Sequence, residues 1–337
     1  MSKRNLIIII GSIAFLVGGI VGFLIPKDES INTNSIDGII YQDVCESSNA
    51  FTQKIANSPK TMNKEGFDAQ IPKFYDGNHQ AMASIPSNLT DKMKVDFVVD
   101  GRNVYSITPN ENYKRILLFI HGGAFVGNMG PDQMKNANQM AEKLNAKVYM
   151  PDYPLAPKAT YEEATKFMDK VYKEISNTDK DIIFMGDSAG GNFCMTFSQY
   201  LYNTQANKLP YARVLFSPWV DVSMTNPEIV DIEPHDPTLN SYGAIMAGKM
   251  WAGDTDVKDP RVSPLFGETE DKIKTIFICS RDDICLPDSK LLYKKLKDNG
   301  CNTKFYQAQG LSHAFMNIID LPETQEAQGW VVDFVLS

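Results

Sequence analysis

The pentapeptide Gly186-Asp187-Ser188-Ala189-Gly190 closes one apolar run, Ile182-Ile183-Phe184-Met185, and opens another that is long enough for a helix. A chain that leaves a strand and enters a helix within one residue must put that residue in a strained backbone conformation. Glycines two positions to either side are then needed, because a Cβ there would strike neighbouring backbone. Ser188 is left with its hydroxyl exposed at the carboxyl end of a strand, where it is a candidate nucleophile. Such a turn also constrains the whole chain, since a buried apolar strand feeding a helix belongs to a parallel sheet with helices packed on it.

The remaining sequence fits that demand. Apolar runs at 95–99, 104–108, 115–120, 147–151, 181–185, 213–217, 274–279 and 303–307 read as strands, and 132–144, 161–176, 189–202, 288–299 and 323–336 as helices. This alternation predicts an α/β fold: a mostly parallel, eight-stranded sheet with helices on both faces. The catalytic domain then spans 95–337. Residues 31–94 read as a linker followed by cap helices at 41–56 and 67–84. A second cap element is expected as an insertion around 224–256, with a helix at 239–251.

His121-Gly122-Gly123-Ala124-Phe125 directly follows the strand at 115–120. The backbone N–H groups of Gly122 and Gly123, with that of Ala189, form a candidate oxyanion hole. A serine hydroxyl also needs a base, and the chain holds four histidines: His79, His121, His235 and His313. In a fold with a strand-borne G-x-S-x-G the chain order is serine, acid, histidine, which excludes His79 and His121. His313 follows the last strand, whereas His235 sits in the acidic, proline-rich Glu233-Pro234-His235-Asp236-Pro237, better suited to a surface or cap loop. His313 is therefore the expected base. Behind the strand at 274–279, Asp282 and Asp283 are both eligible as the acid on spacing alone, while Asp288 is expected to open a helix.

Five ordered segments resemble the bacterial hormone-sensitive-lipase-like carboxylesterases, an α/β-hydrolase group, over roughly residues 95–335. They are His121 to Phe125, Asp152-Tyr153-Pro154-Leu155-Ala156-Pro157, Gly186 to Gly191, Asp259-Pro260-Arg261-Val262-Ser263-Pro264-Leu265-Phe266, and Ser312-His313-Ala314-Phe315. The resemblance implies that Asp283, not Asp282, is the acid. It also implies hydrolysis of short acyl esters, acetyl or similar, without metal or cofactor. Two departures stand out: Ala124 replaces a frequent third glycine, and Ala314 occupies a position more often glycine. The expected function is a serine carboxylesterase working through Ser188, His313 and Asp283 and an acyl-enzyme. An acyltransferase using the same intermediate is the nearest alternative, and a non-catalytic, membrane-tethered binding protein on the same scaffold a more distant one.

Lys3 and Arg4 precede an uncharged, apolar stretch from Leu6 to Ile25, twenty residues long and so able to cross a bilayer as a helix. The positive charges before it predict a single-pass anchor within residues 1–30, with the catalytic domain outside the cytoplasm. A cleaved signal, giving a secreted enzyme, is the alternative. Five cysteines, two of them in core elements, read as buried thiols rather than a disulfide framework, although spacing leaves Cys285 and Cys301 open as a pair. A net charge of −8, with no basic aromatic patch, argues against nucleic acid as a partner.

Overall fold

The computed structural model describes residues 33–58, 60–76, 84–269 and 271–337. The expected span from Leu6 to Ile25 lies outside the described residues, as does His79. Among the described residues no helix is long and apolar enough to cross a membrane.

All eight expected strands form. They are β3 (Lys94–Val99), β4 (Arg102–Ile107), β5 (Arg115–Ile120), β6 (Ala146–Pro151), β7 (Asp181–Asp187), β8 (Ala212–Phe216), β9 (Lys274–Ser280) and β10 (Thr303–Ala308). Two further strands precede them, β1 (Thr33–Ile36) and β2 (Ile39–Gln42), so the sheet has ten strands in the order β1-β2-β10-β9-β8-β7-β5-β6-β4-β3. From β2 to β6 in that order the strands run parallel, and antiparallel pairs lie at the two edges.

The added hairpin corrects the expectation of a linker from residue 31. Asp37 and Gly38 both take positive φ, 54° and 82°, as a tight two-residue hairpin turn requires. Asp-Gly between short apolar flanks is a strong hairpin signal, but the strands are only four residues long and β1 is exposed throughout. The helix expected at 41–56 accordingly starts later, as α1 (Glu46–Ala56). Two short helices, α2 (Lys64–Asp68) and α3 (Ile71–Asp76), stand in the region expected as one helix at 67–84, of which 77–83 lie outside the described residues.

The parallel strands are buried on both faces, so they read as continuous apolar runs rather than alternating ones. Neighbouring residues still point to opposite layers. Leu118, Phe184 and Phe277 join one core with Phe167 and Phe197, while Leu117, Phe119, Met185 and Phe216 join the other with Met140 and Val331. The flanking helices are α4 (Pro131–Lys143), α5 (Tyr161–Ser176), α6 (Ala189–Asn203), α9 (Leu286–Asp298) and α10 (Pro322–Leu336). Helix α5 illustrates why they form. Thr160 and Glu163 close a capping box, with the Thr160 N–H donating to Glu163 Oε2 at 2.8 Å. Tyr161, Ala164, Phe167, Met168, Val171, Tyr172 and Ile175 then repeat at helical spacing and are buried.

The insertion contains α7 (Ile229–Ile232) and α8 (Ser241–Ala252), and α8 packs against α2. The Gly243 N–H donates to the Met62 carbonyl at 2.9 Å, and the Tyr242 hydroxyl to Asp68 at 2.8 Å. Trp251 of α8 stacks on Phe125 with ring centres 3.9 Å apart, joining the insertion to the loop after β5.

Candidate active site

The chain passes from β5 to β6 on one side of β5 and returns through β7 on the other. Open α/β sheets bind their ligands at such a switch point, beyond the carboxyl ends of the strands. The loop His121-Gly122-Gly123 leaves β5 and Ser188 leaves β7, so strand order alone sets these two features side by side. The close packing explains the glycines. A Cβ on Gly190 would run into the Ile120 carbonyl oxygen and come within 2.7 Å of the His121 carbonyl carbon, and one on Gly186 would lie 2.6 Å from the Gly190 carbonyl.

Ser188 has φ 54° and ψ −121°, the sharp turn anticipated from the pentapeptide. A residue with a side chain held there stores strain of about 1–3 kcal/mol, so the surroundings must over-determine it. They do: the Ser188 N–H donates to the Phe216 carbonyl at 2.8 Å, and the Ser188 carbonyl accepts the N–H of Trp219 at 3.1 Å. Both partners belong to the end of β8 and its continuation, fixing the elbow from the neighbouring strand.

His313 and Asp283 meet. His313 Nδ1 lies 3.0 Å from each oxygen of the Asp283 carboxylate, and both side chains are essentially excluded from solvent. The Cys285 N–H also donates to Asp283, at 2.8 Å. The loop carrying His313 is pinned to the end of β8 by the Ala314 N–H, which donates to Ser217 Oγ at 3.0 Å. Burial alone would push the Asp283 carboxyl up, but the adjacent imidazole holds it below the ordinary carboxylate value. Burial pulls His313 down, and Asp283, Asp236 and Asp187 together leave it raised above the ordinary value of 6.5. Asp282 turns outward and pairs with exposed Arg281, at 2.7 Å. The neighbouring aspartates that spacing left equivalent are thus separated by the direction of one turn.

The other two described histidines have different surroundings. His121 is buried, stacks on Tyr153 at 4.4 Å, and is lowered to about 4 by loss of solvent, which keeps it neutral. His235 is exposed on the insertion. The five cysteines form no disulfide, Cys285 and Cys301 included. Among the described residues, ligand atoms of Asp283, Cys285 and His313 lie within 4.8 Å of one another, and Asp283 and His313 already share a hydrogen bond.

The Gly122 N–H, expected as an oxyanion donor, donates to Asp187 Oδ1 at 3.1 Å, a bond it would have to leave to reach a reacting carbonyl. Asp187, buried immediately before the serine, also accepts both 2.9 and 3.0 Å contacts from the Gln133 amide. Loss of solvent pushes its carboxyl up, against the pull of these donors. Sequence reasoning missed Asp187 as a tie to the loop after β5. The glycine requirement at 122 was its signal: a Cβ there would lie 2.5 Å from Asp187 Oδ2 and 3.0 Å from Ser188 Cβ. The two alanine departures both sit in the left-handed region, Ala124 at φ 54° and Ala314 at φ 50°. Each is held there at a cost of about 1 kcal/mol relative to glycine.

Residues 117–317, more than half of the chain, match the family described as the alpha/beta hydrolase fold. An esterase of Acinetobacter venetianus is 30% identical over 230 residues, covering 66% of this chain and 75% of its own. The steryl acetyl hydrolase 1 of Saccharomyces cerevisiae is 23% identical over 212 residues, 56% of this chain and half of that protein. Among solved structures, an esterase from the bacterial hormone-sensitive lipase family superposes with a TM-score of 0.69 at 19% identity, over 85% of this chain and 95% of that one. The chain belongs to the α/β-hydrolase family. It is a carboxylic ester hydrolase.

Proposed function

We propose that the chain hydrolyses short acyl esters, acetyl esters first among them, through an acyl-enzyme on Ser188. The observation that carries this reading is the buried His313–Asp283 pair, both carboxylate oxygens 3.0 Å from Nδ1, together with a strained strand-to-helix turn at Ser188 whose preceding Asp187 acts electrostatically on His313. Asp283 keeps the proton of His313 on Nδ1, leaving Nε2 to accept the proton of Ser188 as the hydroxyl attacks the ester carbonyl. The imidazolium then protonates the departing alcohol, and the regenerated base activates water to release the acid. With Gly122 turned to Asp187, the donors for the oxyanion are the N–H groups of Gly123 and Ala189 and, one residue further along the loop, Ala124. The name of the yeast relative supports acetyl as the acyl group.

Ser188→Ala is expected to abolish hydrolysis of p-nitrophenyl acetate and labelling by a fluorophosphonate. Retained turnover would remove Ser188 from the mechanism. Adding a competing alcohol to the wild-type reaction and analysing the products separates hydrolysis from acyl transfer.

We also propose that the stretch from Leu6 to Ile25 anchors the enzyme, with the catalytic domain on the extracytoplasmic side. Its uncharged length and the preceding Lys3 and Arg4 support this. The full chain should stay with membranes through alkaline carbonate washing, and external protease should reach the catalytic domain. Release by the wash would overturn the anchor.

A further inference from the structure

A second carboxylate is buried beside the Asp283–His313 pair. Asp236 stands between α7 and α8, next to exposed His235, yet only 1% of its own surface is accessible. Its Oδ1 accepts the N–H groups of Thr238 and Leu239, both at 2.8 Å, and the Thr238 hydroxyl at 3.1 Å. Its Oδ2 accepts the N–H of Ile284 at 3.0 Å, across 48 residues of chain. Every one of these partners is a donor, and their bonds favour the anion against loss of solvent and the neighbouring Asp283, which push the Asp236 carboxyl up. The Asp236 carbonyl accepts Lys60 Nζ at 2.9 Å. One residue therefore ties together the N-terminal segment, the insertion, and the turn that presents Asp283.

We propose that Asp236 is a positioning residue of the hydrolytic site, fastening the insertion to the acid turn and setting a second fixed negative charge behind His313. This rests on the reading of Ser188, His313 and Asp283 given above. Three carboxylates then act on the charge of the imidazole: Asp283 by direct contact from the acid turn, Asp236 from the insertion and Asp187 from the serine turn. The Cys285 thiol lies in the same group. Asp236 in turn feels the charges of Asp283 and His313. Ordinary catalytic pairs need one carboxylate to stabilise the imidazolium; here the charge that appears on His313 when Ser188 is deprotonated is shared with a group delivered by the insertion.

The test is kcat/KM for p-nitrophenyl acetate against pH, whose acid limb reports the base of the free enzyme. Asp236→Asn keeps an oxygen for Thr238 and Leu239 and removes the charge. Its plateau should fall about tenfold while its acid limb moves about one unit to lower pH, because the imidazole binds its proton less tightly. A purely structural role would lower the plateau and leave the limb in place, so an unmoved limb in folded Asp236→Asn overturns the proposal. If that variant does not unfold cooperatively, Asp236→Ser carries the test. It also removes the charge while keeping a small hydrogen-bonding oxygen, so the same shift of the acid limb is expected, and an unmoved limb in folded Asp236→Ser overturns the proposal. Hydrolysis surviving in Ser188→Ala would instead remove the underlying triad reading, so the two failures are distinguishable.

Discussion

Asp283→Asn should lower kcat by about 10⁴-fold, the loss expected when the carboxylate of a serine–histidine–aspartate set becomes an amide. Asp282→Asn, one residue away, should leave kcat unchanged. The difference follows from what each carboxylate touches. Asp283 is buried with both oxygens 3.0 Å from His313 Nδ1 and accepts the Cys285 N–H. An asparagine there offers an N–H₂ group to the same ring nitrogen. The imidazole then turns its lone pair to Nδ1 and carries its proton on Nε2, where it can no longer accept the proton of Ser188. Asp282 holds only Arg281, at a surface where an ion pair contributes little. Steady-state kinetics of the two folded variants checks this directly. Equal losses in both, or a larger loss in Asp282→Asn, would assign the acid to the wrong residue.

That separation of two adjacent aspartates also shows how far the residues speak for themselves. The eight central strands are legible because parallel strands covered on both faces are continuous apolar runs, and the helices because their buried positions recur every three or four residues. The serine turn and the histidine loop are legible because strained or close-packed backbone demands particular residues there. Direction is harder to read. Which of two successive carboxylates faces inward depends on the path of the turn after β9, and which of three successive N–H groups faces the substrate depends on a side chain, Asp187, that lies 65 residues further on. Asp236 is concealed for the same reason. Its stretch is polar and rich in proline, as an exposed loop would be, and only packing against the acid turn removes it from water. The short β1–β2 hairpin had a readable Asp37-Gly38 turn, but too few apolar residues to outweigh the polar character around it.

Asp187→Ala should lower kcat by about 10²–10³-fold with little change in KM, the size of loss that accompanies one misplaced oxyanion donor. Asp187 holds the Gly122 N–H at 3.1 Å and the Gln133 amide at 2.9 and 3.0 Å, so it anchors the loop after β5 to the serine turn and to α4. The loop needs such an anchor because Ala124 and Phe125 both sit at positive φ, 54° and 61°, where they rest only while neighbours hold them. Removing the carboxylate frees the Gly122 N–H and leaves the Gln133 amide without those acceptors. The loop can then relax, carrying the Gly123 N–H away from the point where negative charge develops. Ground-state binding depends on the acyl and alcohol pockets rather than on that donor, so the defect belongs in kcat. Fluorophosphonate labelling of Ser188 should slow in parallel, since the phosphonyl oxygen occupies the same hole. A variant that loses affinity for substrate while keeping kcat would show that Asp187 serves the pocket instead of the oxyanion loop.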